Sequence, residues 1–174
     1  MKNAFRFVMV SLFAALTCVA TLFIHIPVPM VNGYANLGDA IILICAFLFP
    51  STSGIFAAGL GAAFADVLSG YIIYAPATFV IKCGVFAIVM FFSKFRGIVR
   101  HASCVIAEIW MVAGYLFYEA ILMGLHSGAL ANVVGNLVQG LVSVIVAFVL
   151  VPILSRSKGI QKYMLLYQDS DSER

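Results

Sequence analysis

The sequence predicts an all-α integral membrane protein, a six-helix bundle with both termini in the cytoplasm, and three observations lead there. Of 174 residues, 64% are hydrophobic and 10% charged, with a mean hydropathy of +1.11, far too little charge to cover a soluble domain of this size. Proline, glycine and charge divide the chain into apolar segments, and a bilayer core takes about 20 residues per helical crossing, which leaves room for five or six. Nine of the ten Lys and Arg residues lie in three places: Lys2 and Arg6, then Lys94, Arg96 and Arg100, then Arg156, Lys158, Lys162 and Arg174. Six crossings put all three on one side, which the positive-inside rule makes cytoplasmic, whereas five would put one cluster outside.

The segments run over 5–24, 36–49, 52–69, 75–93, 102–124 and 130–154. MKNAFRFVMVSLFAALTCVATLF begins with basic residues like a secretory leader, but the apolar run is long and no small-x-small site closes it. Thr17 fits poorly before a lipoprotein cysteine at Cys18, so a first transmembrane helix is the better reading. The second segment spans only about 20 Å at 1.5 Å per residue. FPSTSG, carrying Pro50 and Gly54, reads as a tight turn into the third. A transmembrane domain is expected over residues 1–155 and a polar cytoplasmic tail over 156–174, its end QDSDSER disordered and without an assigned role.

The exceptions to apolarity carry the chemistry. Lys82 sits about two turns into the fourth segment, and Asp39, Asp66 and Glu119 lie toward the outer ends of theirs; Glu108 is on the cytoplasmic half. An ionised group at the bilayer centre costs roughly 2.5–3.5 kcal/mol, so such groups face protein or a water-filled cavity. For Asp39 and Asp66, capping or reaching water at a helix end competes with function. Elsewhere the polar residues form stripes. Asn132, Asn136 and Gln139 fall at i, i+4 and i+7; Tyr115 and Glu119, and Thr78 and Lys82, are each one turn apart. Three stripes at similar depth predict an outward-facing cavity for a small polar ring compound. In the third segment Gly54, Ala58, Ala62 and Asp66 form one line and Ala57, Gly61 and Ala65 another, spacings that let helix backbones approach closely. Ser11–Ala15 and Ala14–Cys18 repeat the device in the first helix. Cys18, Cys45, Cys83 and Cys104 show no CxxC spacing and read as small apolar residues, so neither a metal site nor a disulfide framework is expected.

YANLGDA and then AAGLGAAFADVLSGYIIYAPATFVIK resemble the substrate-specific (S) components of energy-coupling factor (ECF) vitamin transporters, near the riboflavin, hydroxymethylpyrimidine and vitamin B6 branches. The match is close over residues 34–84, and the six-segment layout extends it to nearly the whole chain. The resemblance implies a vitamin-binding, non-enzymatic subunit of the bacterial plasma membrane, with its site near the outer surface, gripped by the first outer loop and the later helices. It implies that the first helix docks on a transmembrane coupling (T) subunit, here through Ser11, Ala14, Ala15 and Cys18, and that two cytoplasmic ATPase subunits hydrolyse ATP. The chain itself has no GxxxxGK[ST] phosphate loop. Asn36, Asp39, Tyr74 and Lys82 fall on the family pattern; Tyr115, Glu119, Asn132, Asn136 and Gln139 come from the stripes. Lys82 either contacts the ligand or holds Asp39 or Glu119 in place. No cofactor and no nucleic-acid partner is expected.

The single tryptophan, Trp110, is expected away from the site, which with the amide-rich sixth helix favours a hydroxymethylpyrimidine- or pyridoxine-type vitamin over riboflavin. An intramembrane aspartyl protease built on Asp39 and Asp66 is the rival from another class. It lacks the first glycine of GxGD and leaves Lys82 unexplained. No HExxH exists for a zinc protease, and a channel or purely structural subunit would not need one-sided polar stripes.

Overall fold

A computed structural model describes residues 2–27, 34–95, 97–122, 124 and 126–171. Its helices are α1 (Lys2–Phe23), α2 (Gly38–Leu48), α3 (Thr52–Leu68), α4 (Ala75–Phe92), α5 (Ile98–Phe117), α6 (His126–Arg156) and α7 (Lys158–Asp171). Between α1 and α2 the chain forms a two-stranded antiparallel ladder, β1 (His25–Pro27) and β2 (Tyr34–Asn36), with His25 opposite Asn36. A π-helical turn, Tyr118–Leu122, extends α5. Among the described residues, four helical stretches are long and apolar enough to cross a membrane: Ala4–Phe23, Ala75–Phe92, Ile98–Leu122 and Asn132–Arg156. The helices over the second and third predicted segments are shorter.

The connections from α2 to α3 (residues 49–51) and from α3 to α4 (residues 69–74) are short; the end of the bundle that carries the β-ladder is called the hairpin end and the opposite one the termini end. α2 is its axis. It packs against α1, α4 and α6, and of its residues only Ile41 is not buried. That all-round burial explains why GDAIILICAFL has no polar face. At 11 residues α2 is about 16 Å long, roughly half of what a crossing needs. The sequence expectation of a helix over 36–49 thus shortens, and the missing length is made up by the β-ladder. Asp39, in the first turn of α2, therefore lies near mid-depth rather than at the rim.

The small-residue lines of α3 do what their spacing predicts. Gly54, Ala57, Ala58, Gly61, Ala62 and Ala65 are all buried. A Cβ on Gly61 would stand 2.4 Å from the Ala14 carbonyl oxygen of α1. The close approach of α1 and α3 thus depends on that position being empty. α1 in turn buries Phe13, Thr17 and Ala20 in the bundle. At the termini end Ser51 caps α3 by accepting from the Gly54 N–H at 3.1 Å, and the buried Arg6 bonds Ser53.

The expected polar tail is largely helical. α7 lays Tyr167, 1% exposed, against Phe13 and Phe49, and its hydroxyl shares a 2.7 Å hydrogen bond with Ser51 Oγ. Ile160, Tyr163, Met164 and Tyr167 recur at i, i+3, i+4 and i+7, the period of a helix with one packed face. The charged residues around them hid this pattern in the composition. The cysteines are unpaired, Cys45 and Cys104 buried and Cys18 and Cys83 half-buried.

Replacing Gly61 by Leu should push α1 off α3 and destabilise the protein by about 1–3 kcal/mol, as overpacking does. Thermal unfolding of the detergent-solubilised chain measures this, and an unchanged midpoint would contradict the close α1–α3 contact.

Candidate functional site

The site is built on a charged pair. Lys82 extends from the middle of α4, and its Nζ lies 2.7 Å from both Asp39 oxygens. Asp39 is wholly buried and Lys82 is 5% exposed. A third group reaches the carboxylate: Gln139 of α6 donates from Nε2 to Asp39 Oδ2 at 2.6 Å, while Oδ1 has no hydrogen-bond partner among the described residues. Above the ammonium, the Tyr115 ring of α5 stands 5.3 Å away at its centroid, a cation–π contact. The Tyr115 hydroxyl shares a 3.0 Å hydrogen bond with Thr78 Oγ1, one turn from Lys82. Of the two carboxylates the sequence offered as partners for Lys82, the structure pairs it with Asp39.

The same amide that touches Asp39 holds the hairpin. Gln139 Oε1 accepts from the Asn36 backbone N–H at 3.1 Å and from Asn36 Nδ2 at 3.0 Å. Asn36 Oδ1 then accepts from the Gly38 N–H at 2.9 Å, opening α2. Asn36 thus serves as an Asx turn that starts the helix, which explains why NLGD has its amide two residues before the glycine. Four elements, β2, α2, α4 and α6, are joined through one hydrogen-bonded chain.

A second polar cluster lies closer to the hairpin end. Glu119, in the π turn and 4% exposed, accepts from Asn132 Nδ2 at 3.0 Å. Tyr74, at the N-terminus of α4, approaches the same carboxyl, yet Oε2 has no hydrogen-bond partner among the described residues. Tyr74 also packs at 5.8 Å on Tyr118 and at 6.4 Å edge-on to Tyr71. The Tyr118 hydroxyl donates to the Ile73 carbonyl at 2.5 Å, tying the π turn to the α3–α4 loop. Asn136, one turn beyond Asn132 and half-buried, lies between the two clusters along α6.

The predicted residues therefore fall in two groups. Asn36, Asp39, Lys82, Tyr115 and Gln139 form a mid-depth floor, and Tyr74, Glu119 and Asn132 a cluster above it. Tyr118 was missed because nothing in the sequence announces a π turn, whose wider winding re-aims consecutive side chains. Glu108 was given no role, yet it is 5% exposed with neither carboxyl oxygen partnered among the described residues. It lines a groove of about 190 Å³ between α5 and α6, beside Leu137 and Leu141. Trp110 is committed to packing: its Nε1 donates to the Ile81 carbonyl at 3.1 Å, and its ring fills the space over Gly84. On α1, Ser11 and Ala15 are exposed, whereas Ala14 and Cys18 are half-buried, with Ala14 turned under Gly61.

Comparison with known proteins agrees with this architecture. The family model for the S component of ECF-type riboflavin transporters matches residues 2–156. A Pyrococcus woesei protein, described as an uncharacterized protein in gap 3'region, is 37% identical over 145 residues, 81% of this chain and 95% of that protein. A solved structure reported as the structure and mechanism of the S component of a bacterial ECF transporter superposes with a TM-score of 0.69 at 22% identity. It covers 89% of this chain and 97% of that one.

Truncating Lys82 to Met should strand the Asp39 carboxylate and cost about 3–5 kcal/mol of stability, while Asp39→Asn combined with Lys82→Met should restore most of it. Thermal unfolding of the single and double variants decides: a double variant no better than the single one would show that the pair is not the source of the loss.

Proposed function

The chain belongs to the ECF-type riboflavin transporter S component family, and on that premise we propose that it captures its vitamin between the mid-depth floor and the hairpin, with the hairpin end facing out of the cell. The observation that carries this reading is the buried chain Lys82–Asp39–Gln139–Asn36. Lipid tolerates such a group only where it is fully paired or lines a polar cavity, and this one fastens the segment under which a ligand would sit. Contact between ligand and Asn36 or Gln139 would transmit to the hairpin directly. Tyr74, Glu119, Asn132 and Asn136 supply the aromatic wall and the directed hydrogen bonds of a ring-binding pocket.

The direction follows from charge. Lys2, Arg6, Lys94, Arg100, Arg156, Lys158 and Lys162 belong to the termini end, and positive residues mark the cytoplasmic face. In this arrangement α1–α6 traverse the bilayer of a bacterial plasma membrane, α2 reaching halfway and the ladder completing its path. The exposed Ser11 and Ala15 leave a shallow strip on α1, flanked by Leu12 and Leu16, on which a transmembrane coupling subunit would dock, with Ala14 and Cys18 at its inner edge. Two cytoplasmic ATPase subunits would drive the cycle.

Riboflavin is the first choice of vitamin, because the family to which the chain belongs is described by it and because Tyr71, Tyr74 and Tyr118 offer ring faces at the hairpin end. A pyrimidine or pyridine vitamin is the second reading, favoured by the amide stripe of α6 and by the engagement of Trp110 elsewhere.

Purified in detergent without ATP, the chain should quench riboflavin fluorescence at submicromolar vitamin, the range in which uptake subunits must work. Gln139→Leu, which releases Asn36, should weaken binding about tenfold by leaving buried amide groups unpaired. Mass spectrometry of ligand carried through purification from rich medium separates the two vitamin readings. Absence of any bound or binding B vitamin would remove the proposal.

A further inference from the structure

We propose that the groove between α5 and α6 is a docking site for a transmembrane helix of a partner chain, one that brings a lysine to mid-depth as the counter-ion of Glu108. This role is independent of vitamin capture.

Glu108 is the acid that the rest of the fold leaves without a base. It is 5% exposed, and neither carboxyl oxygen has a hydrogen-bond partner among the described residues. Lys82 already holds Asp39 on its ammonium at 2.7 Å. Arg100, about two turns back on α5, is engaged with the carbonyl and ring of Phe47 on α2. An acid embedded in a bilayer needs a counter-charge, a backbone partner or a water-filled cavity, whereas the walls beside Glu108 are aliphatic.

Two rows of side chains frame the acid. Val105, Ile109 and Val112 recur at i, i+4 and i+7 on α5, and Leu137, Leu141 and Val144 do so on α6, with a trough of about 190 Å³ between them. Parallel ridges with a trough between are the surface into which a third helix packs a ridge of its own. At the floor stands Gly140, where a Cβ would come 3.0 Å from Glu108 Cβ and 3.2 Å from its Oε2. Glu108 therefore rests against the α6 backbone, and the missing side chain keeps the trough deep. Val105, Ile109, Leu137 and Leu141 are exposed, so the rim is open to a neighbour in the bilayer.

Depth selects the occupant. Glu108 lies ten residues beyond Ile98, where α5 begins, or about 15 Å along the helix, half of a bilayer core of about 30 Å. A phospholipid keeps its charged atoms at the interface and would offer Glu108 only methylene groups. A helix carries a polar side chain to any depth, because its own backbone is satisfied internally. Among donor side chains, lysine brings the charge that Glu108 lacks, and its four-carbon stem suits aliphatic walls.

The test uses the full chain in lipid vesicles and two labelled synthetic peptides of membrane-spanning length, poly-leucine and the same helix with one central lysine. Like charge keeps the lysine peptide from pairing with itself. Energy transfer from chain to peptide should show the lysine peptide bound about tenfold more tightly than poly-leucine, the scale of an interhelical polar contact in lipid. Glu108→Gln should abolish that preference. Leu137→Trp, which fills the trough and keeps the acid, should abolish it too, as should moving the lysine two turns along its peptide. Equal transfer to both peptides, a preference that survives Glu108→Gln, or one indifferent to the depth of the lysine overturns the assignment. Transfer between two differently labelled copies of the chain, lost in Leu137→Trp, would make a second copy the occupant and overturns it as well.

Discussion

The rest of the structure depends on the Lys82–Asp39 pair. Taking an ammonium and a carboxylate out of water costs several kcal/mol per ion, and their mutual attraction offsets this only when the remaining valences are also met. Here they are met in part, by Gln139 on Oδ2 of Asp39 and by the Tyr115 ring beside the ammonium, while Oδ1 has the ion pair with Lys82 alone and no hydrogen bond among the described residues. The pair therefore does more than join α2 to α4. It requires α5 and α6 to bring those groups to the same depth, and so sets where four helices stand relative to one another. The shortness of α2 follows the same constraint: its first turn must reach Lys82, which lies near the middle of α4.

Once α2 begins at mid-depth, the space above it has to be filled by something other than helix. Backbone without internal hydrogen bonds is tolerated at such depth only where protein or a polar cavity surrounds it. The β-ladder meets its own backbone demands, and Asn36 and Gln139 pin its second strand to α6. A polar network that would be costly as a bare core feature thereby attaches the β-ladder to α2, α4 and α6. Its members are few, and each is shared between two elements, so a change at one contact is felt at the next.

The helix ends add the other half of the site. α5 does not stop cleanly but widens into a π turn, which places Tyr118 against the α3–α4 loop and Glu119 against α6 at adjacent positions. An ordinary α-helix would separate two consecutive side chains by about 100° and send one of them away. At the opposite end α7 turns back and inserts Tyr167 between Phe13 and Phe49, closing the bundle beside the cap of α3. Its polar composition was read as a cytoplasmic tail, with only the terminal QDSDSER expected to be disordered, because the packed face occupies only one side of a charged helix.

The sequence by itself determined the class and most of the helical segments, and it supplied the residue types of the candidate site, because hydropathy and i, i+4 spacing are local properties of the chain. It also supplied the family, through the runs around Asp39 and from Asp66 to Lys82. Only the tertiary structure decided that Lys82 faces Asp39, that Gln139 bridges Asp39 to the hairpin, that Glu119 pairs with Asn132, and that α2 covers half the depth. These are relations between elements up to a hundred residues apart, and a helix periodicity states which residues share a face without stating which face meets which.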